Sequence, residues 1–430
     1  MHAVPLQRRG APVDRGNDRV IAASSIAVAV AFLAAAGLAL FLPAAVRRGV
    51  WLPIHLALAG GATTAVAGVM PFFVAAFAAA PPADPRLRAA AVAASALGAL
   101  VVVAGVLGGG GEVAALGGAL FVGAIVLIGA ATLRPIGAGL GPSRGLVTRA
   151  YLVALLAIGT GASLATLLLA GWAPVAAAWP HLKPAHAWLN LVGFASLVIA
   201  TTLLHFFPTV AGARIPNHRS GRAAIAGLGA GSWLAAAGYA VSIDLAVAGG
   251  AVLALLGAVA LGWYEIAVWR TRGRWTTDRE WHLFAIGGLA SATCWLLVGL
   301  GIAGARAVAF GSDPARWSVD DTIAPLVAGW VGLAILASAT HLLPAVGPGD
   351  LAAHARQRRM LGRLALPRLV ALDLGIALMT IAQVAGWQLG TLAGLGLTAL
   401  GFATTAFLIG SAVAIGIRWT QARGAATPSG

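Results

Sequence analysis

Four histidines fall within or at the edges of long apolar runs: His55, His186, His205 and His341. An ionisable side chain in hydrocarbon is costly, so each needs a reason. Imidazole offers two, ligation of a metal or heme iron through a ring nitrogen and relay of a proton. His186 and His205 lie in one run, HLKPAHAWLNLVGFASLVIATTLLHFFPTVAGARI from His181 to Ile215. On a helix rising about 1.5 Å per residue they stand about 28 Å apart, so they cannot share one ligand and belong to sites near opposite membrane faces. Asn190 lies one turn from His186 on the same stripe, and Thr201 continues the stripe toward His205. With Gly193 among them, this side of the helix suits the interior of a bundle better than lipid.

His205 and His341 each stand three residues before a proline, Pro208 and Pro344. One reading is a second ligand or proton-relay site at the inner membrane face. The competing reading is a helix-ending device, in which proline frees carbonyls and the imidazole caps the last turn. His282 opens another run at the same depth and is a candidate third member, although GRWTTDREWH reads more simply as a loop. Glu265 and Asp373 are the carboxylates placed within apolar runs, and either could pair with an arginine or His341 as a proton input. Alternatively they snorkel to the inner surface. Asp244, Asp320 and Asp321 read as loop residues, and His2, His218 and His354 as solvent-exposed. GGGGE at Gly108 and GLGPSRG at Gly139 lack the lysine and hydroxyl of a phosphate loop and read as turns.

The elements that position these groups follow from composition. Of 430 residues, 60% are hydrophobic and only 10% charged, with mean hydropathy +0.91. That is a polytopic all-α membrane protein, with the lipid bilayer as its first partner. The formal charge of +15 does not imply nucleic acid, because the arginines punctuate the apolar runs and do not cluster on one folded face. The single cysteine, Cys294, excludes a disulfide framework and a cysteine metal cluster. The basic N-terminal stretch leads into apolar sequence without a small-residue cleavage site, which reads as an uncleaved first span. Twelve spans are predicted, at about 20-44, 52-79, 89-108, 113-133, 148-172, 186-210, 222-243, 247-269, 281-304, 322-346, 366-388 and 391-417. With the N-terminus inside, only Arg47, Arg48, Lys183, Arg306 and Arg316 of the 28 basic residues fall outside. The positive-inside rule then places both termini, 1-19 and 419-430, in the cytoplasm and the chain in the plasma membrane.

The spans repeat. VGFASLVIATTLLHFFPTVAG from Val192 aligns without gaps to AGWVGLAILASATHLLPAVGP from Ala328, an offset of 136 that superposes His205 on His341 and Pro208 on Pro344. HLALAGGATTAVAGVMPFFVAAF from His55 is a third relative, its histidine resembling His186 and its Pro71 resembling Pro208, although no ungapped register satisfies both. The pattern predicts three repeats of four helices, at about 20-133, 148-269 and 281-417, with no separate soluble domain.

This layout, with histidines near the membrane surface on the second helices of the repeats, resembles the catalytic-subunit fold of heme-copper oxidases. Within that superfamily the chain looks most like NnrS-type heme membrane proteins associated with nitric oxide stress and the oxidase-like membrane regions beside copper nitrite reductases. The resemblance implies an axial heme ligand at His55 and a copper ligand near His186, with heme and copper as candidate cofactors and a copper nitrite reductase or other redox partner. It also implies two ligands at the outer end of the tenth helix and a histidine pair on the seventh, but TIAPLVAGWVG and RAAIAGLGAGSWLAAAGYAVS hold none. A copper centre with about three nitrogen ligands is therefore not assembled, and proton-pumping oxygen reduction is not expected. The expectation is a heme- or metal-binding protein with a redox or nitrogen-oxide role, using some of His55, His186, His205 and His341. A bis-histidine heme would set His55 and His186 across one plane, each imidazole oriented through its other nitrogen. The rival for these two is an interfacial histidine wetted by headgroup water near Trp51, Trp179 and Trp188. For the whole chain the rival is a cofactor-free transporter or assembly protein of the same architecture.

Overall fold

Backbone polar groups in hydrocarbon are satisfied only in closed structures, so apolar runs of this length fold as helices. The computed structural model describes residues 16–77, 80–138, 145–216, 219–273 and 279–426. Among these, twelve helices are long and apolar enough to cross a membrane: α1 (Val20–Ala39), α2 (Trp51–Ala76), α3 (Pro85–Gly108), α4 (Gly111–Pro135), α5 (Leu146–Leu169), α6 (Ala173–Val210), α7 (Arg219–Ala240), α8 (Asp244–Arg270), α9 (Trp281–Phe310), α10 (Asp320–Ala345), α11 (Ala365–Ala385) and α12 (Gln388–Gln421). The protein is an all-α, multi-pass membrane protein, and each predicted span finds its helix.

Helix α1 ends five residues before the expected 44 and α9 runs six past the expected 304, and three further differences bear on the argument. Helix α6 starts at Ala173, well before the expected 186. His181, Lys183, Pro180 and Pro184 read as a break in the sequence, whereas the helix runs through all four from Pro174, which its first turn tolerates because an N–H there would have no partner in the helix. At the other end of the chain, the expected C-terminal tail is helical as far as Ala426. The loop expected at about 347-365 carries an amphipathic helix, Leu351–Gly362, that buries Ala353, Gln357 and Leu361. It also draws His354 in to a half-buried position, Nε2 3.3 Å from the Gly347 carbonyl, so this histidine is not the solvated group expected. His2, His218, most of GLGPSRG and residues 274–278 of GRWTTDREWH lie outside the described residues.

The predicted repetition is visible in the backbone. Helices α2, α6 and α10 each contain a π-helical stretch of wider turns, at Leu56–Ala62, Trp188–Ser196 and Ala324–Gly332. The last two are offset by the same 136 residues as the sequence repeat. The first is seven residues against nine, so no single register aligns α2 with α6 from end to end. The three stretches touch one another, which makes α2, α6 and α10 an inner ring. Burial agrees: 78% of the central window of α6 and of α10 is buried, against 28% for α3 and α5.

The third and fourth helices of each repeat form tight hairpins, α3–α4, α7–α8 and α11–α12. Small residues bring their backbones together where apolar burial supplies little drive inside a bilayer. A Cβ on Gly250 would lie 2.3 Å from the Ala235 amide nitrogen, whereas one on neighbouring Gly249 would meet only Leu234 Cδ2 at 3.9 Å. Gly250→Ala is therefore expected to destabilise the bundle by about 1–3 kcal/mol despite the better helix propensity of alanine. Gly249→Ala should leave the melting temperature in detergent unchanged or raise it. Equal melting of the two variants would mean that the α7–α8 backbones are not held this closely.

Candidate functional site

His55 closes the first α-helical turns of α2 and His186 lies two residues before the wide-turn stretch of α6, at the same end of the bundle. The structure brings them together: the ring centroids are 6.4 Å apart and the planes differ by 19°. Each ring is oriented through Nδ1. His55 Nδ1 lies 2.7 Å from the Trp51 carbonyl one turn back, and His186 Nδ1 lies 2.9 Å from the Gly161 carbonyl of α5. Carbonyls only accept, so both Nδ1 atoms carry the proton and both Nε2 atoms present a lone pair. That is how ligand imidazoles are ordinarily fixed.

Asn190 adds a constraint. Its amide nitrogen stands 3.1 Å from both nitrogens of His186. A donor on the Nε2 lone-pair axis at that distance would be about 5 Å from Nδ1, so Asn190 lies beside or over the ring and leaves the axis open. Its Oδ1 is buried without a hydrogen-bond partner. Gly161 makes the arrangement possible, because a Cβ there would fall 2.4 Å from that oxygen. The ring faces are covered by tryptophan, Trp51 stacked on His55 at 4.3 Å and Trp179 tilted against His186 at 5.9 Å. Sequence reasoning placed these tryptophans in the interfacial belt. Their contacts follow from spacings of four and seven residues along a helix, whereas nothing in the sequence marks Gly161.

His341 lies at the opposite end, in the last turns of α10. From α6, Phe206, the residue after His205, reaches it edge-on at 5.6 Å. His341 stacks on Trp281 at 4.9 Å and 9°, and His282 is 5.8 Å away. The loop reading of this segment gives way at Trp281 and His282, which open α9. His205 is half-buried, its carbonyl accepting from the Thr209 hydroxyl.

The carboxylates take hydrogen bonds from α9 in place of an arginine or His341. Glu265 is buried and accepts from Thr293 Oγ1 at 2.8 Å, so it does not snorkel. Asp373 accepts from Ser291 Oγ at 2.5 Å and Trp295 Nε1 at 2.9 Å. Asp244 caps no solvated loop: it ties α8 to Ser312, whose amide and hydroxyl donate to it at 2.8 and 2.6 Å. Asp321 is paired with Arg306. Thr201 is buried with its hydroxyl unpaired, and the neighbouring Thr202 meets the Tyr151 hydroxyl at 2.8 Å. Among the described residues no group of three or more His, Cys, Asp or Glu side chains is arranged to hold a metal ion. No family model matches the chain, and no curated protein matches it.

Proposed function

We propose that the protein is a heme-binding membrane protein of heme-copper-oxidase-like architecture, in which His55 and His186 would hold the iron and the role is redox or nitrogen-oxide handling. One observation carries this reading, the spacing of the two imidazoles. Two coordinating nitrogens across one metal stand about 4 Å apart, and a ring radius of about 1.1 Å at each end gives about 6.3 Å between centroids. The observed centroid separation of 6.4 Å admits that spacing, with planes 19° apart and both Nδ1 atoms occupied. Heme iron, when bound, supplies one-electron chemistry and affinity for nitric oxide.

The chain's own part is to hold and shield. The Trp51 and Gly161 carbonyls fix the tautomers, while Trp51 stacks on His55 and Trp179 flanks His186. The basic residues argue for cytoplasmic termini in the plasma membrane, which puts the pair at the outer face, within reach of a copper nitrite reductase or another redox partner.

The test is an absorption spectrum of the detergent-purified protein, oxidised and dithionite-reduced, with metal analysis of the same sample. A Soret band with reduced α and β bands is expected, and nitric oxide should shift it. A colourless, metal-free protein that stays so after heme reconstitution would remove the reading and leave a transporter or assembly protein in front. Gly161→Ala pushes Asn190 aside and disturbs the carbonyl that orients His186, so heme affinity should fall about 10–100-fold with the melting temperature close to the parent's. Unchanged affinity on titration would mean that the α5 carbonyl does not orient the ligand.

A further inference from the structure

The opposite end of the bundle carries a second imidazole pair that the reading above leaves unused. His341 Nδ1 is buried without a hydrogen-bond partner. Its ring has little freedom: Trp281 is stacked on it and is itself tied to α10 through Nε1, which donates to the Thr340 carbonyl at 3.1 Å, and Phe206 closes one side. His282, from the first turn of α9, comes within 5.8 Å at 43°. A buried, immobilised imidazole nitrogen with no donor or acceptor opposite it pays the full desolvation cost unless something fills the position.

We infer that His341 and His282 together bind a single copper(I) ion at the end of the bundle opposite His55. An ion bonded at about 2.0 Å to one nitrogen of each ring would stand about 3.1 Å from each centroid. At 5.8 Å between centroids the two bonds then meet at roughly 130–140°, so the pair suits bent coordination of one ion. The ligand set selects the ion. Two imidazoles with no third His, Cys, Asp or Glu beside them among the described residues fall short of the four ligands zinc takes. Arg358 lies over Trp281 at 4.9 Å, and its charge further disfavours a divalent cation at a site with no carboxylate among the described residues. Copper(I) carries a single charge, so it meets less repulsion from Arg358 than a divalent ion would, and imidazole is among the ligands that suit copper.

Anaerobic titration of the detergent-purified protein with copper(I) in competition with a chromophoric copper(I) chelator tests this. One equivalent should be withheld from the chelator by the parent and equally by the His55→Ala/His186→Ala double variant. His341→Ala and His282→Ala should each weaken binding at least 100-fold. His282→Gln keeps most of the side-chain volume, and its melting temperature guards against a variant that loses copper only by unfolding. No copper withheld by the parent, or an equivalent lost with His55 and His186 but kept without His341, would overturn the inference. A colourless protein that still withholds copper through His341 would remove the heme reading and leave this one intact.

Discussion

His55→Ala and His186→Ala are each expected to abolish the low-spin heme spectrum while His341→Ala leaves it untouched. Two axial ligands act as one device, because a heme held from one side only is neither six-coordinate nor fixed in orientation. Residues that merely orient a ligand are worth 10–100-fold in affinity, so removing a ligand should cost at least about 100-fold. The bundle should survive, since both side chains are half-buried and the fully buried core lies elsewhere on the inner helices. The measurement is heme titration by the Soret band, paired with a thermal melt of each variant. Loss from all three variants in equal measure would mean that the heme, if present, is not seated between these two rings. Full retention in both would return His55 and His186 to the role of interfacial histidines. Asn190→Ala discriminates further: the side chain lies beside the His186 ring and off the Nε2 axis, so a ligand role for Asn190 itself would predict the same total loss.

The twelve spans were legible because the bilayer imposes one length and one chemistry on every helix, and hydropathy reads both. The repeat was legible for a related reason, since the 136-residue offset in sequence recurs in the wide-turn stretches of α6 and α10. That those stretches are π-helical was not legible, because an extra residue in a turn leaves composition and hydropathy unchanged. Nor was the start of α6, where the helix outlasts the apolar run that announced it. At the candidate site, residue types gave the histidines but not their partners. His341 and His205 match in the repeat, but the sequence does not show that His282 lies beside His341, from a helix whose register against α10 depends on packing. The Gly161 carbonyl is a backbone group that any residue would carry. Its importance comes from the absent Cβ, which only the three-dimensional arrangement reveals.

Trp330→Ala should be the most destabilising single substitution in the inner ring. Trp330 is fully buried where the wide-turn stretches of α2, α6 and α10 meet, and its Nε1 donates to Ser196 Oγ of α6 at 2.9 Å. Ser196 in turn donates to the Leu191 carbonyl at 2.8 Å, so the indole is tied to one of the backbone groups that the widened helix must satisfy. Removing an indole from a packed interior costs about 3–5 kcal/mol, and inside a bilayer the loss is chiefly of dispersion contacts that lipid cannot restore. Trp330→Phe separates the two contributions. It keeps most of the volume and gives up the hydrogen bond, so it should cost only about 0.5–1.5 kcal/mol more than its packing change. A double-mutant cycle with Ser196→Ala should return a coupling energy of about 1 kcal/mol between α6 and α10. Thermal and denaturant unfolding in detergent, followed by tryptophan-independent far-ultraviolet circular dichroism, provides the readout. If Trp330→Phe were as damaging as Trp330→Ala, the polar tie between repeats would outweigh the volume. If neither mattered, the three stretches would be held together by the surrounding hairpins, and the spacing of His55 and His186, which sit at the mouths of two of those stretches, would then have to be fixed from α5 through Gly161 alone.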